Sequence, residues 1–144
     1  MKGRMMKKEL PVFSHWYDVL GKILDRAGRF PKSLRPTLGN RLIDRGLDVM
    51  ECIVRLRYTR ERSALFREGN LALEQMRVLV RICFERRIVS GGQYEDLAEG
   101  IDACGRMLGG WSRSEKENQC MEGEARPTGR LSGRAPAEPW LPRS

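Results

Sequence analysis

From Pro11 to Trp111 the apolar residues of this chain recur every three or four positions in four successive runs separated by short breaks, and no run alternates as a half-buried strand does. That period predicts an all-α fold, an antiparallel four-helix bundle over residues 10–115. With 144 residues and 40% apolar content there is material for a single core. The first helix is expected from about Pro11 to Ala27, with Phe13, Trp16, Tyr17, Leu20, Ile23 and Leu24 turned inward and Gly28 and Phe30-Pro31 ending it.

The second helix is expected to start between Leu34 and Thr37 and to reach about Arg60. One stripe holds Leu38, Leu42, Val49, Ile53 and Leu56, and a second beside it holds Ile43, Leu47, Met50 and Val54. The third, from about Arg62 to Ile88, carries a seam of Leu65, Gly69, Ala72, Met76, Leu79 and Cys83, widened by Leu73, Val80 and Phe84. Behind it runs a separate stripe, Leu71, Val78 and Ile82. A helix in a small bundle needs one buried face, so these three residues are expected to form an oligomer interface or meet a partner. Ser90 and Gln93 have the spacing of a capping box opening the fourth helix, along which Tyr94, Leu97, Ile101, Cys104, Leu108 and Trp111 repeat, with small Ala98, Gly105 and Gly109 alongside. Gly109-Gly110 either ends that helix or lets Trp111 pack. Residues 1–9 read as a basic segment, with Lys2, Arg4, Lys7 and Lys8, and from about 116 onward the Pro-, Gly- and Ser-rich composition predicts a disordered tail.

Charge is distributed unevenly over this frame. Between Phe30 and Val89 there are thirteen cations, twelve of them Arg, against seven acids, so the second and third helices carry 13 − 7 = +6 of a net +8. Guanidinium groups ordered on rigid rods suit a polyanion held in defined orientation. Arg41, Arg45 and Arg55 line up with Asp48 and Cys52 as a mostly basic ridge on the second helix. They are either a solvated face offset by Asp44, Asp48 and Glu51 or a nucleic-acid contact, and the net excess favours the contact. Arg77 and Arg81, flanked by apolar stripes on the third helix, either pair with acids across a subunit interface or touch phosphate. The fourth helix is acidic, with Glu95, Asp96, Glu99 and Asp102 against Arg106, and in an oligomer it is suited to meet the arginine ridge of the next copy.

No catalytic set assembles. His15 has no nucleophile near it, there is no Gly-rich phosphate loop, and Glu95-Asp96 read as acids complementing a helix start. Cys52, Cys83, Cys104 and Cys120 occur singly, without the spacing of a metal site, and the first three read as small core hydrophobes. Neither a secretory signal nor a spanning segment is evident, which points to a reducing cytoplasm, no membrane and no cofactor.

FPKSLRPTLGNRL at residues 30–42, LEQMRVLVRI at 73–82 and QYEDLAEGIDACGRMLGGW at 93–111 together resemble the accessory variability determinant (Avd) proteins of diversity-generating retroelements, four-helix-bundle proteins related to those encoded in ribosomal RNA intervening sequences. The resemblance covers roughly residues 12–112, and GRMLGGW is its most specific part. It implies a basic homopentameric barrel of bundles that binds the retroelement's reverse transcriptase and nucleic acid, RNA or DNA, to support mutagenic complementary DNA synthesis. The family's basic surface maps onto Lys32, Arg35, Arg41 and Arg45, and its third-helix arginine pair onto Arg77 and Arg81. The alternative is a structural interaction bundle of the intervening-sequence type with no reverse-transcriptase partner. A small helical enzyme is the least favoured reading.

Overall fold

The computed structural model describes residues 9–125, which form α1 (Glu9–Gly28), α2 (Asn40–Tyr58), α3 (Ser63–Glu85) and α4 (Gly91–Ala125). The basic residues Lys2, Arg4, Lys7 and Lys8 and the expected tail from 126 onward lie outside the described residues. Each helix packs on two neighbours, in the order α1, α2, α3, α4 and back to α1. The bundle is antiparallel. Cross-helix contacts fix its register: Trp16 Nε1 donates to the Gly46 carbonyl at 2.9 Å, Lys22 pairs with Asp96 at 3.1 Å, and Phe66 meets Trp111 edge to face at 5.5 Å.

The core is the one the periodicity marks. Trp16, Ile23, Leu42, Ile53, Leu56, Leu73, Met76, Leu97, Ile101 and Leu108 are fully buried. Burial of large aliphatic side chains contributes roughly 1.5–3 kcal/mol apiece relative to exposure, so this set dominates the stability. Small residues set the helix spacing. A Cβ on Gly100 would sit 2.8 Å from Val19 Cγ2, and one on Gly46 would sit 2.9 Å from Leu20 Cδ1, so α4 and α2 both approach α1 where no side chain intervenes.

Several expectations are corrected. Tyr17 is 65% exposed and Leu24 also faces outward, because they lie on the flank of α1 beside α2 rather than on the line through Trp16 and Ile23. Leu47 and Val54 of the second α2 stripe are exposed on the outer edge of the same junction, and Phe84 is exposed at the end of α3. Cys52, aligned with the ridge by the helical period but read as a small core hydrophobe, is buried against α3, its Cβ 3.8 Å from where a Gly69 side chain would begin. α2 proper begins at Asn40. A 3-10 turn over Lys32–Leu34 and a widened π turn over Arg35–Gly39 precede it. Pro36 donates no amide hydrogen there, and the Asn40 amide reaches back to the Arg35 carbonyl. The fourth helix runs through Gly109 and Gly110 and past residue 115 to Ala125. Trp111, packed on Phe66, anchors it as it passes.

The capping box forms as expected: the Ser90 amide donates to Gln93 Oε1 at 2.9 Å and the Gln93 amide to Ser90 Oγ at 3.1 Å. The preceding helix stops in a Schellman motif. Ile88 N donates to the Cys83 carbonyl at 2.8 Å and Arg87 N to the Phe84 carbonyl at 3.0 Å, with Arg87 in left-handed backbone at φ 63°.

Candidate nucleic-acid interface

An up-down-up-down bundle brings its first and third connections to one end. Residues 26–43 contain Arg26, Arg29, Lys32, Arg35 and Arg41 and no acid; residues 86–94 contain Arg86 and Arg87 and no acid. The Lys22–Asp96 ion pair and the approach of Gly100 to Val19 hold the α4 start beside the α1 end. These two segments therefore cap the same end of the bundle with seven cations. Lys32, Arg35 and Arg41 are marked as candidates by the sequence, whereas Arg26, Arg29, Arg86 and Arg87 are missed when charge is summed along helices rather than by bundle end. The chain order of an antiparallel bundle is the signal that groups them.

The members of this end are held to different degrees. Arg35 Nε donates to the Phe30 carbonyl at 2.9 Å, which fastens the connection and leaves the rest of an exposed guanidinium outward. Phe30 is buried beneath, and a Cβ on Gly39 would lie 3.6 Å from its ring, so the connection folds tightly over the core. Lys32, Arg41, Arg86 and Arg87 are exposed and form no ion pair among the described residues.

The remaining candidates separate from that end. Arg45 pairs with Asp48 one turn on and is half-buried. Arg55, about 21 Å farther along α2 than Arg41 at 1.5 Å per residue, lines a crevice of about 240 Å³ between α2 and α3 with Asp48, Glu51 and Glu68. Three carboxylates to one guanidinium make that crevice acidic. Burial, reinforced by Glu68, pushes the Cys52 thiol there up to about 11, so it stays a neutral thiol. The expected ridge thus splits into a basic upper end and an acidic middle.

Arg77 is a strut. Its Nε donates to Asp102 of α4 at 2.7 Å, Nη1 contacts Glu74, and the guanidinium covers Gly105, where a Cβ would lie 3.2 Å from Nη2. Its pKa is raised, chiefly by the Asp102 hydrogen bond. Arg81 donates to Glu85 at 3.0 Å along the same helix, a surface pair that likewise raises its pKa. The acids are in the same chain, and with Asp96 and Asp102 engaged by Lys22 and Arg77, the acidic face of α4 is partly neutralised within the bundle. At the opposite end Arg62 pairs with Glu115 at 2.6 Å, donates to the Thr59 carbonyl at 2.9 Å and lies over the Trp111 ring at 5.5 Å. Leu71 and Val78, 60% and 59% exposed, stand on the outer face of α3 with Ile82.

His15 Nε2 lies 2.9 Å from the Gly100 carbonyl and ties α1 to α4 as a structural donor. Among the described residues no three His, Cys, Asp or Glu side chains form a group able to hold a metal ion. Among them also, no helix is long and apolar enough to cross a membrane.

Compared with known proteins, the chain matches the family described as bAvd-like over residues 7–115, a span covering the first three helices and α4 as far as the Arg62–Glu115 pair. No curated protein and no solved structure matches it. The strings that carry the resemblance have distinct structural duties: FPKSLRPTLGNRL forms the basic connection, and GRMLGGW supplies the Arg77 seat at Gly105 and the buried Leu108 and Trp111. The chain belongs to the bAvd-like family, the accessory variability determinant proteins of diversity-generating retroelements.

Proposed function

We propose that the chain is a non-catalytic scaffold of a diversity-generating retroelement, holding the template RNA or its complementary DNA at the basic end of the bundle and presenting it to the reverse transcriptase. The observation that carries this reading is the convergence of two acid-free connections, with seven cations, at one end. Arginine forks on a rigid support grip phosphates with defined geometry. The test is filter binding of RNA and DNA across a salt series. Contact with about four to six phosphates gives a log–log slope of roughly −3 to −5. The triple reversal of Lys32, Arg41 and Arg87 to Glu should abolish retention. A salt-independent complex, or one unchanged by the reversal, overturns the reading, and a pull-down with a reverse transcriptase of a diversity-generating retroelement tests the second partner.

Self-association belongs to the same proposal. Leu71, Val78 and Ile82 on α3, and Tyr17, Leu24, Leu47 and Val54 along the α1–α2 junction, are two exposed apolar faces on different sides of one bundle. Dissimilar faces suit head-to-tail contacts that close into a ring, and five copies is the number the family resemblance implies. Light scattering should give a multiple of 16.6 kDa, and Val78→Glu should reduce it to one subunit.

A further inference from the structure

The turn between α3 and α4 holds more than charge. Arg87 occupies the left-handed position of the Schellman motif, φ 63°, where glycine is the usual residue because a side chain there is strained. The chain keeps an arginine at that position, beside Arg86, and no acid lies between it and Glu95. Adjacent to it, Phe84 is 40% exposed and stacks on Tyr94 with centroids 4.7 Å apart and planes 17° from parallel. Phe84, Glu85, Arg87, Val89 and Gly91 border an open cavity of about 590 Å³, where Glu85 is engaged by Arg81 at 3.0 Å and Gly91 has no Cβ to fill the place 3.8 Å from the Phe84 ring edge.

An exposed aromatic flanked by arginines, at the mouth of a concave surface, has the elements that bind unpaired nucleotides: a ring for the base and cations for the phosphates on either side. We propose that this turn is a stacking subsite for a single-stranded segment of the bound polynucleotide, with an unpaired base on Phe84 and its flanking phosphates on Arg86 and Arg87. A duplex keeps its base faces stacked internally and offers this site only its phosphates. The inference rests on the nucleic-acid reading above and adds to it a preference for single strands.

The experiment measures fluorescence anisotropy of a labelled oligothymidine and of a duplex of equal length, about 20 nucleotides, with the full chain and its Phe84→Leu, Phe84→Tyr and Arg87→Gly variants. Phe84→Leu, which keeps the apolar bulk, should weaken oligothymidine binding roughly 5- to 150-fold, as loss of one stacked base does, and leave duplex binding within about twofold. Phe84→Tyr should retain binding, which separates loss of the ring from loss of the fold. Arg87→Gly should weaken both ligands while raising Tm by a few degrees, because glycine relieves the left-handed strain. Equal binding by wild type and Phe84→Leu overturns the stacking subsite alone. Wild type that binds neither ligand overturns the broader nucleic-acid reading and this inference with it.

Discussion

Substituting alanine for single glycines tests how closely α4 lies on α1. At Gly100 the new Cβ would stand 2.8 Å from Val19 Cγ2 and 3.3 Å from Cγ1. Carbon atoms pack at about 3.5–4.0 Å, so the helices must separate by several tenths of an ångström or more. Val19 is 3% exposed and β-branched, confined to essentially one rotamer in a helix, and has nowhere to turn. The movement would also stretch the 2.9 Å contact between His15 and the Gly100 carbonyl. Overpacking of this kind costs about 1–3 kcal/mol, and the higher helix propensity of alanine offsets about 1 of that. Gly100→Ala should therefore destabilise by up to about 2 kcal/mol. At Gly46 the clash is 2.9 Å, but with Leu20 Cδ1, the far end of a flexible side chain, so the two effects should nearly cancel. Gly21 in mid-α1 has nothing within 4 Å of an added Cβ, and alanine there should stabilise by about 0.5–1 kcal/mol. Urea unfolding followed by circular dichroism, at fixed protein concentration and with unchanged m-values, ranks the three. The double variant Val19→Ala/Gly100→Ala should recover about 1 kcal/mol of coupling energy. Gly100→Ala as stable as Gly21→Ala would refute the close contact on which the α1–α4 packing is argued.

Burial raises the Cys52 and Cys104 thiols from an ordinary 9.0 to about 11 and about 12. Their folded pKa values exceed the unfolded ones, so the stability from keeping them neutral is complete below pH 9 and drains away as pH rises from 9 to about 11 for Cys52 and to about 12 for Cys104; Cys104→Ala should make urea midpoints between pH 8 and 10 fall less steeply than wild type. With an aromatic disulfide reagent at pH 8, exposed Cys120 should react within the mixing time and buried Cys52, Cys83 and Cys104 only as fast as the bundle opens, so rapid reaction of all four would contradict the packing. Arg77→Met should lower stability through loss of the α3–α4 strut yet leave nucleic-acid affinity nearly unchanged, whereas Lys32→Glu should do the reverse; filter binding beside thermal melts separates the two roles.

Local periodicity and local capping are legible in the sequence itself. Trp16, Ile53, Met76 and Ile101 fall on the stripes that the helical period draws, and the Ser90–Gln93 box needs only a three-residue spacing. What the period does not contain is where the neighbouring helices stand. Tyr17 is separated from Trp16 by a single 100° step, and the position of α2 leaves it exposed while Trp16 is sealed by the Gly46 carbonyl. Cys52 falls beside Arg45 on a helical wheel, yet its apolar neighbours mark it as a core residue, and α3 closes on it. The charged site is legible as composition but misgrouped. Arg55 sits among Asp48, Glu51 and Glu68 from two helices, and Arg86 and Arg87 join the α1–α2 connection only when the chain folds back on itself. The left-handed backbone at Arg87 has no sequence signal, since arginine is an ordinary helix former and the glycine that would announce the motif is absent.

α4 is much the longest rod, 35 residues against 23 in α3, or roughly 52 Å against 35 Å at 1.5 Å per residue. Arg62 clasps it at Glu115, and from there to Ala125 it continues for another 15 Å or so, at the pole opposite the cationic connections, with residues 116–120 bare to solvent. The molecule thus carries its own mast. A dye coupled to Cys120 rides on that mast, remote from any polynucleotide seated at the other pole, so energy transfer to a labelled strand can report which way round the strand lies without the label touching it.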